Sequence, residues 1–213
     1  MAIQTTELIA HETGSLAAEV VFGCIDGIFS VLGIIAAGAS AALTPLQIFA
    51  TGLGGAAAGA LSVFAAMYLS QTTEKKTRLL AAWENSRKLM AKKARSGNGT
   101  YNPQREPTKK DHKRLHELLS RIHRRALLSG LVTSTTSTLA SLALLLPLVL
   151  LSFDVSTSVA ILTGIFLLAM MGAFRGMTLK QSAAKSAIKM VILGIVIIIA
   201  SRMLGSYVQT LLR

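Results

Sequence analysis

The chain has 213 residues, of which 52% are hydrophobic and 15% charged, and its mean hydropathy is +0.55. This composition excludes an ordinary soluble domain of the same size and indicates an integral membrane protein. The formal net charge is +12, but no aromatic-interleaved basic motif accompanies it, so nucleic acid is not an expected partner. The single cysteine, Cys24, excludes an intrachain disulfide.

Five segments of the sequence are long enough to cross a bilayer, which takes about 20 apolar residues in a helix. The predicted fold is therefore all-α, a polytopic membrane protein with five transmembrane helices. An odd number of spans places the two termini on opposite sides of the membrane. The segments are Val20–Leu43, Leu46–Ser70, Ala126–Phe153, Val155–Phe174 and Ala187–Val208.

The first two spans contain one charge. Asp26 is the only charged residue between Glu19 and Glu74. An ionisable side chain inside a membrane span is costly unless it faces a partner, water or an ion, so it marks a functional site by default. Asp26 is therefore the first candidate site residue. Ser62, in the second span, offers a hydroxyl that either lines a path or bonds across helices.

Glycines are concentrated in the same two spans. Gly23 and Gly27 form one GxxxG pair, and Gly55 and Gly59 form another. Small residues at this spacing let helix backbones approach closely within a membrane. We therefore expect the first two helices to form the packed centre of the protein.

The segment between the second and third spans is strongly basic. From Thr72 to Leu127 it holds sixteen Lys or Arg and five Asp or Glu. Such a connection is typical of the cytoplasmic side, and the loops around Thr44 and Asp154 carry no Lys or Arg, so the N-terminus is expected inside and the C-terminus outside. Anionic lipid headgroups are the expected counter-charge.

Two helices are predicted within this basic segment. Good helix formers continue the second span to Arg95, Gly and Pro interrupt Ser96–Thr108, and a new helix starts at Lys109. We expect them to form a cytoplasmic helical hairpin between helices 2 and 3. The chain then divides into residues 1–71 with helices 1 and 2, residues 72–125 with the hairpin, and residues 126–213 with helices 3 to 5.

Three histidines of the second predicted cytoplasmic helix share one face. His112, His116 and His123 are spaced i, i+4 and i+11, and two imidazoles one turn apart can bind a metal ion. The alternative is a solvated basic face that happens to contain histidine. We find no Ser/His/Asp nucleophile set and no Cys-x-x-Cys pair, so neither an enzyme nor a resident cofactor is expected.

Ordered motifs along the chain resemble the vacuolar iron transporter family, also called the nodulin-like iron and manganese transporters. They lie in the first, second, fourth and fifth spans and cover about two thirds of the chain. The chain is short and has no sorting extension, which favours a prokaryotic plasma membrane. The matching stretches are Glu19–Ser30, Ala36–Gly38, Ala58–Ser62, Tyr68–Ser70, Gly172–Thr178, Ser186–Met190 and Ser201–Gly205.

The resemblance implies a homodimer of five-helix chains that meet through helices 1 and 2. It also implies export of ferrous iron or manganese from the cytoplasm in exchange for protons, with Asp26 as a metal ligand in both protomers. Met67 stands where the family commonly has a glutamate, and its thioether is a soft ligand that suits ferrous iron. Val63 stands where the family usually has methionine, and the hairpin is basic rather than rich in glutamate.

Two other functions remain open on the sequence. One is a membrane scaffold without transport that binds anionic lipid through the basic hairpin. The other is transport of a different solute, such as an anion, which the basic hairpin would attract to the cytoplasmic mouth.

Overall fold

The structure is a computed structural model that describes residues 16–95, 109–178 and 180–211. This part of the chain is all-helical and contains no strand. Every helix in it contains a stretch long and apolar enough to cross a membrane, so the predicted five-span fold is confirmed. The helices are α1 (Leu16–Ser40), α2 (Pro45–Arg95), α3 (Lys109–Leu150), α4 (Phe153–Thr178) and α5 (Ala183–Leu211).

Two of the helices are much longer than a membrane span. α2 has 51 residues and α3 has 42, or about 76 Å and 63 Å at 1.5 Å per residue. A hydrocarbon core is about 30 Å thick, so both helices must extend well beyond it. The predicted continuation of the second span to Arg95 and the predicted start at Lys109 are confirmed. The connecting loop lies outside the described residues, and the hairpin stays a prediction.

The turn between α1 and α2 consists of a C-terminal helix cap followed directly by an N-terminal helix cap. Ala42 has a positive φ of 57°, and the Leu43 amide donates to the Gly38 carbonyl at 3.0 Å, as in a Schellman cap. Thr44 and Gln47 then form a capping box. The Gln47 amide donates to the Thr44 hydroxyl at 3.3 Å, and the Thr44 amide donates to Gln47 Oε1 at 2.9 Å.

The turn between α4 and α5 stops its helix in the same way. Lys180 has a φ of 53°, and the Gln181 amide donates to the Gly176 carbonyl at 2.8 Å. A non-glycine residue in this left-handed region is strained by roughly 1 kcal/mol. Both turns therefore contain a slightly strained residue, which allows the chain to reverse direction sharply between two helices.

Helix boundaries differ from the predicted spans by a few residues. α1 ends at Ser40 rather than Leu43 because its Schellman cap uses the next three residues. The break between the third and fourth spans lies at residues 151–152 rather than at Asp154. The Ser152 carbonyl accepts hydrogen bonds from the Val155 and Ser156 amides, so α4 begins at Phe153 and takes Asp154 into its first turn.

The described residues fall into two compact units. One contains the residues up to Phe64 together with those from Leu131 onward, and the other is Ala65–Gly130. The apolar core lies in the first unit and includes residues of all five helices. Its buried members are Ile28, Val31, Leu32, Ile35, Ile48, Ala56, Leu144, Leu145, Leu148, Ala160, Leu168 and Met190.

α1 is the most buried span and α5 the least. The most apolar window of α1 is 44% buried, whereas that of α5 is 11% buried. α1 contacts both α4 and α5, which makes it the central helix of its unit. On α5, Lys189 and Arg202 are exposed and enclose twelve uncharged residues.

Candidate ion-binding site

Asp26 lies within the first span and is half-buried. The side chain of Ser137, on α3, lies beside its carboxylate. Ser137 is itself only 3% exposed. The one charge of the first span therefore has a buried hydroxyl from another helix next to it.

Two glycines of α1 allow α3 to come this close. A Cβ added to Gly23 would collide with the carbonyl of Thr133, and one added to Gly27 would collide with the carbonyl of Ser137. The Ser141 hydroxyl also donates to the Gly27 carbonyl at 3.2 Å. The backbones of α1 and α3 thus meet on either side of Asp26.

The sequence predicted the close approach but not the helix that makes it. We expected the Gly23/Gly27 pair to pack centrally with the second span, whereas it packs on α3. Of the second pair, Gly55 faces the side chain of Ile34, while a Cβ on Gly59 would meet nothing within 4 Å. Within one chain, only the first pair lies against another helix backbone.

Three α3 hydroxyls that sequence reasoning missed lie along this contact. Thr133, Ser137 and Ser141 are spaced four residues apart on one face, and none is more than 3% exposed. The signal was present in the sequence, since the third span has six consecutive Ser or Thr residues from Thr133 to Thr138. Most of the run is satisfied within α3, because Ser134, Thr135, Thr136 and Thr138 donate to carbonyls of their own helix.

The other side of Asp26 is open. Phe22 and Ser30 lie one turn before and one turn after Asp26, and both are exposed, Phe22 to 52%. Residues four apart share a helix face. Asp26 therefore sits at the edge between the α1–α3 contact and an open face of α1.

The two candidates on α2 lie in different units. Ser62 is exposed and belongs to the first unit, whereas Met67 is half-buried and belongs to the second. Their roles beside Asp26 stay predictions. The contact that the structure does describe at Asp26 comes from α3, not from α2.

His123 has a partner within the second unit. Its Nδ1 lies 3.0 Å from the Tyr68 hydroxyl, and the Gln71 amide donates to the Ser129 hydroxyl at 2.5 Å. These bonds join α2 to α3. The side chains of His112 and His116 lie outside the described residues, so the three-histidine site stays a prediction.

Several basic side chains on α2 and α3 of this unit are exposed. Arg121, Arg124 and Arg125 are exposed on α3. On α2, Arg78 pairs with Glu74 at 2.6 Å on an exposed surface, and such pairs contribute little to stability. Among the residues that the structure describes, no group of three His, Cys, Asp or Glu side chains could hold a metal ion.

The fold and the positioned carboxylate define a class: a polytopic helical membrane protein with an ionisable group set inside its first span. Residues 17–98 match the model of the VIT family, the vacuolar iron transporters. The match covers α1 and α2 and confirms the resemblance in that part of the chain. It indicates membrane metal-ion transport. No curated protein matches the chain.

Proposed function

We propose that this protein exports a divalent metal cation, ferrous iron or manganese, from the cytoplasm and exchanges it for protons. The observation that carries the proposal is Asp26, a charge that lies beside Ser137 within a span that matches the VIT family. A carboxylate suits this task because a divalent ion favours its ionised form and protonation releases the ion. Met67 is the proposed auxiliary ligand.

A homodimer is part of the proposal, and the open side of Asp26 supports it. A half-exposed carboxylate within a span cannot face lipid without a large cost, and one carboxylate supplies few of the oxygen ligands that a divalent ion needs. A second copy meeting α1 near Asp26 would supply both cover and a second carboxylate. On α2, Gly59 has open space beside it, which lets another helix approach closely.

The proposed orientation rests on charge. The exposed arginines of α3 and the sixteen basic residues between the second and third spans favour a cytoplasmic location for that segment. The N-terminus then lies inside and the C-terminus outside. A prokaryotic plasma membrane remains the proposed location.

The decisive test is metal flux in proteoliposomes under anaerobic conditions. The parent should carry Fe²⁺ or Mn²⁺, and Asp26→Asn should lose at least about tenfold of that flux, because the amide removes the charge that binds the ion. Glu74→Gln is the matched control: it makes the same acid-to-amide change at an exposed ion pair outside the apolar span. Equal flux in the parent and Asp26→Asn would refute the proposal.

The exposed basic surface favours a second candidate, a scaffold that binds anionic lipid. It predicts that vesicles rich in anionic lipid protect the protein from thermal unfolding and that salt weakens this protection. Metal ions should leave the protection unchanged. Arg121→Gln with Arg125→Gln should reduce the protection. If flux is absent and the protection is present, the scaffold replaces the transporter; flux of an anion instead would identify a different solute.

A further inference from the structure

An apolar cavity lies near the C-terminal ends of α1 and α5. Its volume is about 310 Å³, and its lining comes from α1, from the turn that follows it, from the start of α2, and from α5. Ile48 and Gly205 are buried in this lining, whereas Leu204 and Val208 are 67% and 47% exposed. The cavity therefore has a closed floor and opens on the apolar surface of α5.

The cavity has no polar side chain that needs water. Thr51 is the one lining residue with a polar side chain, and its hydroxyl donates to the Gln47 carbonyl at 2.7 Å. An apolar cavity of this kind stays dry, and its walls lose dispersion contacts for as long as nothing fills it. Because α1, α2 and α5 are long and apolar enough to span the membrane, lipid hydrocarbon is the material that reaches the opening.

The volume of the cavity suits one hydrocarbon chain. Pockets for small molecules have about 300–1,000 Å³, so this one is near the lower limit. A helix of a second copy is about 10 Å across, and one turn of it fills roughly 420 Å³, which is more than the cavity holds. An acyl chain is a single row of methylene groups and therefore fits where a helix does not.

Arg202 supplies a positive charge beside the cavity. It is exposed and lies three residues before Gly205 on α5, and it has no ion-pair partner among the residues that the structure describes. An arginine on an apolar helix extends its guanidinium toward the nearer headgroup region, which from Arg202 lies beyond the C-terminal end of α5. The guanidinium is thereby brought level with the cavity, where it can bind a phosphate through two parallel hydrogen bonds.

We propose that this cavity and Arg202 bind one phospholipid per chain. The acyl chain fills the cavity, and the phosphate contacts the Arg202 guanidinium. The site is independent of the proposed metal transport and contains none of the basic residues of α2 and α3. A lipid that binds only the folded protein stabilises it, and this one holds α1, α2 and α5 together at one end.

Two neighbouring residues of α5 test the acyl-chain site. Leu204 lines the cavity and Met203 does not, although the two are 67% and 68% exposed. The probe is dioleoylglycerol, which has acyl chains but no phosphate, and its binding to purified, delipidated protein is followed by native mass spectrometry. Leu204→Trp should lower the affinity by about tenfold or more, since excluding even two methylenes has this effect, and Met203→Trp should leave it unchanged. Equal affinity in the parent and in folded Leu204→Trp, or no binding to the parent, would overturn the site.

Arg202→Gln is a second variant, at an exposed position that tolerates substitution. Its affinity for dioleoyl phosphatidylglycerol should fall about tenfold because the charged bonds to the phosphate are lost, whereas its affinity for dioleoylglycerol should not change. Lys189→Gln, at the other exposed cation of α5, should bind both lipids like the parent. An equal loss for both lipids in Arg202→Gln, or no loss for either, would overturn the role of Arg202. If the parent binds neither lipid and Leu204→Trp changes the fraction of dimer, a second copy covers the cavity and the proposal is wrong.

Discussion

α3 makes polar contacts of two kinds, one with short side chains and one with long side chains. Beside Asp26 it uses short hydroxyls against glycines, so that the two helix backbones touch. In the second unit it meets α2 through long side chains, Tyr68 to His123 and Gln71 to Ser129. Backbone contact leaves no room for adjustment, whereas long side chains can change rotamer. Of these two contacts of α3, the one beside the carboxylate therefore tolerates less change.

The largest effect is expected where backbones touch. Gly27→Ala would drive a methyl group into the Ser137 carbonyl, so α1 and α3 must separate; overpacking of this kind costs about 1–3 kcal/mol. We expect a lower free energy of unfolding in a detergent titration and a loss of metal flux. The separation would also move Ser137 away from Asp26.

Gly54→Ala is the control for this change. A Cβ at Gly54 meets nothing within 4 Å, and alanine is the better helix former by about 1 kcal/mol. This variant should be as stable as the parent or slightly more so. Equal destabilisation by both substitutions would contradict a tight α1–α3 contact.

A smaller effect is expected at the Tyr68–His123 bond. A double-mutant cycle with Tyr68→Phe and His123→Ala should give a coupling energy of about 1 kcal/mol, the net worth of one hydrogen bond. Metal flux should remain in all three variants if His123 has only this structural role. If His123→Ala abolishes metal flux and Tyr68→Phe does not, the result would support the histidine metal site predicted from the sequence.

The smallest effect is expected at a turn. Ala42→Gly should relieve the strain of its positive φ and raise the free energy of unfolding by about 0.5 kcal/mol, after the entropy cost of glycine. Ala39→Gly, three residues earlier and inside α1, should do the reverse. A loss of stability in Ala42→Gly would show that the cap is not strained.

Much of the fold could be predicted because membrane spans are defined by local sequence. Length and hydropathy located all five helices, and helix formers placed the ends at Arg95 and Lys109. The boundary near Asp154 was less accurate because the Ser152 carbonyl, not composition, sets where α4 starts.

The site could be predicted only in part. Asp26 stands out because it is charged where its neighbours are apolar. This contrast can be recognised within one segment of the sequence. The neighbourhood of Ser137 depends on which helix packs against Gly23 and Gly27, and a small-residue face is compatible with several neighbours. The hydroxyl run of α3 was visible in the sequence, but its partner was not.

The two exposed cations of α5 have a consequence for the surrounding bilayer. Lys189 and Arg202 are thirteen positions apart, or about 20 Å along the helix axis, while a typical hydrocarbon core is about 30 Å thick. Their long side chains can snorkel toward opposite headgroup regions, which covers most of this difference in length. The least buried helix of the protein thus relies on the reach of two flexible side chains to fit the bilayer around it.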